Sequence, residues 1–215
     1  MKPLLLGILV IVIVGIGGLV YRNAVEHPYQ PITCPVDKLF CPDGTAVVRT
    51  GTTCEFTTCP PPNVSLATAH ISFALPTGFV PLTQTLDPTT VAAYEQPALS
   101  TSTEPSTILI NVFPINASST ALKTIQDTAI GQTSGEKVSP IRFSAKTFNE
   151  RTFTVVPIDR FEGVIVTAYY LKRGDTVLRF DAIDRGADWT NPSLNISLLP
   201  AHAALEKLLS TLQIQ

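Results

Sequence analysis

The hydrophobic positions of this chain follow three patterns, and the first is an unbroken apolar run near the amino terminus. No charged side chain occurs from Pro3 to Val20, and almost every position there is Leu, Ile, Val or Gly. A helix over Leu4 to Val20 covers roughly 25 Å, near the short limit for the hydrocarbon core of a bilayer. A helix buried in a soluble core would carry a polar stripe, which this run lacks. The pattern predicts a transmembrane signal anchor over residues 1–22, with membrane contact through residues 3–20.

A cleaved signal peptide is the alternative interpretation of this run, because its charged and apolar regions come in the same order. Gly15-Ile16-Gly17 has the small-x-small pattern of a cleavage site, but the apolar residues Leu19 and Val20 continue beyond it. In either case Lys2 favours a cytoplasmic amino terminus and export of everything that follows. We therefore expect a single-pass protein of the cell membrane with its carboxy-terminal part outside the cytoplasm.

The second pattern is alternation with strand or helix period over residues 65–215, which predicts one globular domain. Seven segments have the strand pattern, namely residues 70–75, 91–94, 107–112, 138–143, 152–157, 163–171 and 176–182. Helices are predicted from Ser118 or Ser119 to Ile130, and from Pro200 to Leu212. Consecutive strands with one early helix and one terminal helix indicate an α+β domain, an antiparallel sheet covered by helices.

The third pattern lies between these segments, where turn and polar residues surround all the cysteines of the chain. They are Cys34, Cys41, Cys54 and Cys59. An even number of cysteines in a short exported stretch indicates disulfides. A zinc site is the alternative, but it normally needs two close pairs, and here six, twelve and four residues separate successive cysteines. Four cysteines allow three pairings, all of which the sequence leaves open.

The cysteines also define the domain organisation that we expect for the middle of the chain. Residues 23–33 form a linker with two prolines, and residues 34–59 form the four-Cys module. Residues 60–64 begin with three prolines and form a stiff spacer before the globular domain. So short a module buries little apolar surface, so the disulfides have to stabilise it.

Composition and charge exclude two classes of protein. The chain has 15 basic and 17 acidic residues, and its formal net charge is −2. A nucleic-acid-binding surface needs clustered Lys and Arg, so we expect no nucleic-acid partner. Hydrophobic residues make up 45% of the chain, and this apolar content excludes disorder throughout.

Candidate catalytic and metal-binding residues are sparse. His27, His70 and His202 have no Cys, His or carboxylate at ligand spacing, so we interpret them as exposed or edge polar residues. The chain contains no Gly-x-Ser-x-Gly elbow, phosphate loop or dinucleotide fingerprint. We therefore predict no catalytic residue, no bound cofactor and no metal.

Two charged stretches have both a functional and a purely structural interpretation. Asp181, Asp184 and Asp188 could gather around calcium, but the alternate spacing and closing Glu of a calcium loop are missing. We interpret that stretch as a strand end running into a solvated turn, with Trp189 covering the core edge. Arg173-Gly174-Asp175 has the sequence of a cell-adhesion tripeptide, but a hairpin tip explains it better, because Gly and Asp suit a tight turn.

Two parts of the chain resemble known families. Residues 33–61 resemble a short module found in membrane-anchored proteins from small-genome, uncultivated bacteria. The residues that carry this resemblance are Cys41-Pro42-Asp43-Gly44, Arg49, Gly51, Cys54-Glu55-Phe56 and Cys59-Pro60. Over residues 65–215, the strand and turn from Ile71 to Phe79, the late hairpin and the Leu-rich terminal helix resemble the PsbP-like fold. Phe79 stands where that fold usually has Trp. The first resemblance implies a location in the cell envelope, and the second implies a non-enzymatic accessory or binding role.

These observations lead to three functional hypotheses. The first is a membrane-anchored extracytoplasmic binding or accessory domain, whose partner is an envelope protein or a cell-wall component. The second is an envelope ligand carrier, which needs an apolar pocket of several hundred Å³ between sheet and helix. The third is a cell-envelope hydrolase, which needs a carboxylate pair or a nucleophile–base pair in a cleft.

Overall fold

The structure is a computed structural model, and it describes residues 2–26, 33–41, 45–83, 87–97, 105–131 and 134–215. Within these residues there are three α-helices: α1 (Lys2–Glu26), α2 (Ala121–Thr128) and α3 (Pro200–Thr211). The strands in chain order are β1 (Lys38–Phe40), β2 (Ala46–Thr50), β3 (Glu55–Phe56), β4 (Val64–Leu66), β5 (Ile71–Phe73), β6 (Val80–Pro81), β7 (Thr90–Gln96), β8 (Ser106–Pro114), β9 (Ser144–Phe148), β10 (Arg151–Phe161), β11 (Val164–Arg173), β12 (Thr176–Asp184) and β13 (Gln213–Ile214).

The internal contacts divide the chain into two compact units. Residues 1–37 and 48–57 form the first unit, and residues 38–47 and 58–215 form the second. The predicted domain boundaries therefore stay a prediction, because this division cuts through the four-Cys module. His27 and most of the predicted linker lie outside the described residues, as does the Asp43-Gly44 part of the module.

The apolar run at the amino terminus forms the helix α1, as the sequence predicts. Its described side chains from Gly7 to Asn23 are all exposed, and the apolar ones occupy every side of the helix. Within the described residues, no helix combines the length and the apolarity that crossing a membrane requires. The helix is thus confirmed, and the predicted membrane crossing is not supported.

The four cysteines form two disulfides, Cys34–Cys54 and Cys41–Cys59. The described chain has no free cysteine, so the disulfide prediction is confirmed and the zinc alternative is wrong. Each disulfide lies within one of the two units. The strands β1, β2 and β3 form a small three-stranded sheet.

Arg49 of β2 makes several side-chain contacts in this region. Its Nε donates to Asp37 Oδ1 over 2.8 Å, and its Nη1 donates to the carbonyl oxygen of Cys54 over 3.0 Å. The guanidinium also lies 4.0 Å from the ring centre of Phe56, a cation–π contact. These contacts supplement the disulfides where the segment offers little apolar surface to bury.

The second unit is built on a seven-stranded sheet with the strand order β6-β7-β8-β12-β11-β10-β9, and every neighbouring pair is antiparallel. A smaller antiparallel sheet has the order β13-β5-β4. The β11–β12 hairpin is confirmed, since Arg173 pairs with Thr176 across a two-residue loop. Gly174 in that loop has φ of +55°, a conformation that glycine adopts without steric cost.

Successive residues of β12 point to opposite faces of the large sheet, and each face carries its own apolar cluster. On the α3 face, Leu178 and Phe180 of β12 pack with β5 and with the Leu side chains of α3. On the α2 face, Val177 and Ile183 of β12 belong to a cluster with Ile125 of α2. Antiparallel sheets covered by a few helices confirm the predicted α+β class.

Six of the seven predicted strands are confirmed, and the strand predicted over 138–143 is wrong. Residues Pro140–Arg142 form a 3₁₀ turn, and the strand β9 begins only at Ser144. Pro140 cannot donate to a sheet ladder, and its fixed φ suits the first position of a helical turn. Apolar Val138 is buried, but it packs from this irregular segment rather than from a strand.

The predicted amino terminus of α2 is also corrected. The hydroxyl oxygen of Thr120, rather than that of Ser118 or Ser119, accepts from the backbone N–H of Lys123 over 3.2 Å. The helix ends at Thr128, one half-turn before the predicted end at Ile130. Three hydroxyl residues in succession all suit an N-cap, so the sequence pattern cannot choose among them.

Candidate functional site

The candidate functional site is a cleft at the end of the large sheet where the β11–β12 hairpin turns. We call it the hairpin cleft. Its volume is about 370 Å³, and it is lined by Thr68, Ala69, His70, Val112, Arg173, Gly174, Asp175 and Thr176. Ligand sites commonly have volumes of roughly 300–1,000 Å³, so the cleft is large enough for a small molecule or a side chain.

A tight turn before β5 places His70 at this cleft. The backbone N–H of His70 donates to the carbonyl of Ala67 over 3.1 Å, and His70 has φ of +46°. Its own carbonyl accepts from the backbone N–H of Gln215 over 2.9 Å, which fixes the turn against the carboxy terminus. The strand prediction for His70 is therefore wrong, since the residue lies in the turn before the strand. A non-glycine residue with positive φ is uncommon and is often found near functional sites.

Arg173 joins this turn to the hairpin. Its Nη1 donates to the carbonyl of Ala69 over 3.0 Å, although 104 residues separate the two in sequence. On the hairpin itself, the hydroxyl of Thr176 donates to the carbonyl of Arg173 over 2.9 Å. The carbonyl of Asp175 accepts from the backbone N–H of Ile115 over 2.6 Å, so the residue that follows β8 also holds the loop.

Most polar side chains at the cleft have no side-chain partner within the described residues. Within the described residues, no side-chain hydrogen bond or ion pair engages the imidazole of His70, the carboxylate of Asp175 or the hydroxyl of Thr68. With the guanidinium of Arg173, they present two basic groups, one acidic group and one neutral donor to the same cleft. His70 and Arg173-Gly174-Asp175 were interpreted separately from the sequence, and the structure brings them together. Their sequence separation removes any local pattern that could have linked them.

A second polar group lies in the interior, on the α3 face of the sheet. We call it the Asp184 network. The imidazole of His202 lies between two partners, with Nδ1 2.6 Å from Asp184 Oδ2 and Nε2 2.9 Å from Thr167 Oγ1. Asp184 also accepts from the hydroxyl of Ser106 over 2.6 Å and from the backbone N–H of Ala201 over 2.9 Å. The backbone N–H of His202 also donates to Asp184 Oδ2 over 3.2 Å.

These contacts change the electrostatics of Asp184 in a definite direction. Burial alone would raise the pKa of the carboxyl group, since burial disfavours the charged form. The hydrogen bonds from His202, Ala201 and Ser106 outweigh that effect and hold the pKa of Asp184 below its ordinary value. The carboxylate is therefore stabilised in its charged form at the amino terminus of α3, where the helix dipole also favours an anion.

The order hydroxyl, imidazole, carboxylate is that of a nucleophile, its base and an orienting group. The exposed fractions are 8% for Thr167 and 1% for both His202 and Asp184, so a substrate carbonyl has no access to the hydroxyl. We therefore assign the Asp184 network to the attachment of α3 to the sheet. The prediction that His202 is exposed is wrong, because the residue lies in the core.

The α2 face carries a separate buried group around Arg179. Its Nε donates to Asp181 Oδ1 over 2.7 Å, and Asn111 donates to the other carboxylate oxygen over 3.0 Å. Nη1 donates to the carbonyl of Thr128 at the end of α2. Burial has the largest single effect and would lower the pKa of Arg179, but the charge and hydrogen bond of Asp181, together with Tyr170, outweigh it, and the pKa lies above its ordinary value.

The interpretation of residues 181–189 as a strand end entering a solvated turn agrees with the structure, since β12 ends at Asp184 and a turn region with exposed Asp188 follows. Asp181 lies buried on the α2 face and Asp184 lies buried on the α3 face, whereas Asp188 is exposed. They do not converge on a calcium ion. Within the described residues, no three His, Cys, Asp or Glu side chains are grouped to hold a metal. Trp189 packs against Phe161 in a tilted arrangement, with ring centres 5.6 Å apart.

A second concave region, which we call the α3 groove, has a volume of about 220 Å³. Its lining residues are Pro76, Thr77, Phe79, Gln96, Pro200, Ala203, Ala204 and Lys207. The groove lies between one side of α3 and the turn that follows β5. It is smaller than the pocket that the carrier hypothesis requires.

No family model matches the chain, and no curated protein matches it. Two solved structures are similar over much of its length. A protein from Bacteroides thetaiotaomicron VPI-5482 has a TM-score of 0.42 and 13% identity, over 68% of this chain and 45% of that one. The cyanobacterial PsbP (CyanoP) from Synechocystis sp. PCC 6803 has a TM-score of 0.44 and 10% identity, over 74% of this chain and 98% of that one. Both TM-scores are below 0.5, so no argument about this chain rests on either likeness.

Proposed function

We propose that the chain is an extracytoplasmic binding protein, attached to a membrane through α1, that uses the hairpin cleft to hold a polar group of an envelope protein or a cell-wall component. One observation carries this proposal. Side chains of four chemical kinds converge on an accessible cleft, and three of them have no side-chain partner within the described residues. In contrast, Asp184 and Arg179 are buried, and each side chain is hydrogen-bonded to its own set of neighbours. Uncommitted polar groups in a concave site are available for a ligand.

Two other features support the location outside the cytoplasm. The disulfides Cys34–Cys54 and Cys41–Cys59 persist in oxidising compartments, whereas cytosolic thiols are kept reduced. The side chains of Ile11 and Leu19 in α1 are 72% and 69% exposed, and their apolar neighbours are similarly uncovered. Contact with lipid would remove that apolar surface from water, which is favourable.

The finer fold assignment is also part of the proposal. The strand and turn from Ile71 to Phe79, the β11–β12 hairpin and the terminal helix α3 follow one another in the order that the PsbP-like resemblance implies. That resemblance supports a non-enzymatic accessory role. The resemblance of residues 33–61 to modules of small-genome bacteria gains no support, since no family model matches the chain.

The other two hypotheses have weaker support. The carrier hypothesis would use the α3 groove, whose 220 Å³ would hold only a small ligand. The hydrolase hypothesis would use the Thr167–His202 pair, whose burial keeps substrate away. The binding role at the hairpin cleft requires no rearrangement of the core.

The attachment and the location are tested by producing the full chain in a bacterial host and separating its membranes. We expect the full chain in the membrane fraction, and a variant lacking residues 2–26 in the cytosol with reduced cysteines. Thiol labelling without reductant should leave the cysteines of the full chain unmodified. Recovery of the full chain in the soluble cytoplasm with labelled thiols would refute the proposal.

The binding role is tested with variants of the cleft. His70→Asn removes the imidazole and tolerates a positive φ, and Asp175→Asn removes the charge while keeping a turn residue. Each substitution should weaken the binding of isolated cell-wall fragments or envelope extract about tenfold, the size expected for one hydrogen bond to a charged group. The matched control is Asp188→Asn, an exposed carboxylate outside the cleft. Equal binding by all four proteins would exclude the cleft as the site.

A further inference from the structure

The α3 groove has an apolar floor that is shaped by small residues. Pro200, Ala203, Ala204 and Lys207 lie on one side of α3, because residues three and four positions apart share a helix face. The alanine side chains are short, and they leave a trough between the helix and the turn at Pro76–Phe79. Phe79 is 7% exposed and closes the bottom. An alkyl chain in this trough would bury apolar surface on both sides.

The rim of the groove carries polar groups that the described chain does not use. Within the described residues, no hydrogen bond or ion pair engages the side chains of Thr77, Gln96 or Lys207. The amide nitrogen of Gln96 lies over Gly78, where a Cβ atom would come within 3.6 Å of it. The side chain of Gln96 therefore lies close to the turn that lines the groove.

The charge at the groove is positive. Lys207 is the charged side chain among its described lining residues, and no described carboxylate lines it. Glu206 precedes Lys207 but is engaged elsewhere: its Oε1 accepts from Lys146 Nζ over 2.6 Å and from the hydroxyl of Tyr169 over 3.1 Å. The ammonium group of Lys207 thus has no intramolecular counter-ion within the described chain.

We propose that the α3 groove binds a small carboxylate with a short apolar chain. The ammonium of Lys207 pairs with the carboxylate, Gln96 and Thr77 donate hydrogen bonds to it, and the apolar chain lies on Phe79, Ala203 and Ala204. A volume of 220 Å³ accommodates about seven non-hydrogen atoms at roughly 30 Å³ each. Pentanoate has that size. This site is separate from the hairpin cleft, so the two proposals stand or fall independently.

The test uses the full chain in a neutral detergent, with amide NMR shifts of Gly78, Ala203 and Ala204 as the readout. Pentanoate should shift these amides in a saturable manner, whereas pentylammonium and 1-pentanol at equal concentration should not. Lys207→Gln should weaken pentanoate binding about fivefold, the upper range for an exposed ion pair. The control variant Lys172→Gln removes an exposed lysine outside the groove and should bind pentanoate like the parent chain.

A second variant tests the volume of the α3 groove separately from the charge of Lys207. Ala203→Leu keeps a good helix former and fills the trough, so it should abolish the pentanoate shifts without lowering the unfolding temperature. N-acetylalanine presents the same carboxylate as a peptide terminus, so its binding relative to pentanoate distinguishes a peptide terminus from a free acid. The proposal is overturned if the three five-carbon probes give equal shifts, or if Lys207→Gln leaves pentanoate binding unchanged.

Discussion

At the scale of single residues, Asp184 explains how a terminal helix is attached to the sheet. Its carboxylate joins Ser106 of β8 to the first turn of α3 and to the His202 ring, so one side chain connects two strands and a helix. Each donor is buried or nearly so, and each would lack a partner without the carboxylate. An unpaired buried donor costs more than the bond itself contributes.

Asp184→Asn should therefore lower the free energy of unfolding by about 3 kcal/mol, because breaking a buried charged network by removing one partner is strongly destabilising. The amide offers one accepting oxygen, and its NH₂ group faces donors. Asp188→Asn is the matched control and should change the stability by less than about 0.5 kcal/mol. Urea unfolding of the full chain, followed by the fluorescence of Trp189, measures both. Equal unfolding midpoints for the two variants would contradict the role of Asp184.

The pH dependence of stability has a definite sign at this residue. The pKa of Asp184 is lower in the folded chain than its ordinary value, so the folded state binds fewer protons there. Its stabilisation is fully present above the unfolded pKa of about 3.9, and it is lost as the pH falls through the folded pKa. The stability difference between the parent chain and Asp184→Asn should narrow below about pH 4. Unfolding curves between pH 2 and pH 6 measure this, and a constant difference would refute it.

The burial of single polar residues is what the sequence predicts least well. His202 and Asp184 are 18 residues apart and belong to a helix and a strand, so no local spacing links them. Asp181 and Asp184 are three residues apart on one strand, and this odd spacing places them on opposite faces. Charged residues are usually exposed, so nothing in the sequence indicated that both are buried.

At the scale of elements, the periodic segments were predicted well and the irregular ones were not. β11, β12 and α3 are long enough for their alternation to be unambiguous, and the structure confirms them. The segment 138–143 was predicted as a strand from its apolar residues, but Pro140 cannot donate to a sheet ladder, and a 3₁₀ turn forms there instead. The cleft and the groove are formed by loops and helix faces that come together only in three dimensions, so their composition was beyond sequence analysis.

The cap of α2 gives a test at this scale. Thr120→Ala removes the hydroxyl that accepts from Lys123 N, so it should destabilise the chain by about 1 kcal/mol. Ser118→Ala serves as the control, since Ser118 is an exposed neighbour that makes no cap contact, and it should change the stability by less than about 0.5 kcal/mol. Urea unfolding again provides the measurement. A larger effect for Ser118→Ala would show that the cap lies where the sequence pattern first placed it.

At the scale of the whole molecule, the pairing of the cysteines is interleaved: Cys34 joins Cys54, and Cys41, which lies between them, joins Cys59. The sequence predicted that disulfides form but left three pairings open, because pairing depends on which sulfurs the fold brings together. Each bridge closes a loop of about twenty residues, which stabilises a chain by about 3 kcal/mol when the unfolded state is open.

This interleaving has a consequence for proteolytic shedding. Any single cut between Cys34 and Cys59 is spanned by at least one disulfide, so such a cut leaves residues 65–215 covalently joined to α1. A cut at Pro60–Pro62 is spanned by neither. A protease site inserted after Gly51 should leave one band on a non-reducing gel and two after reduction, whereas the same site in the proline spacer should release the domain at once. Separation of residues 65–215 from α1 would then require two events, cleavage of the chain and reduction of the disulfides, unless the cut falls at the three prolines.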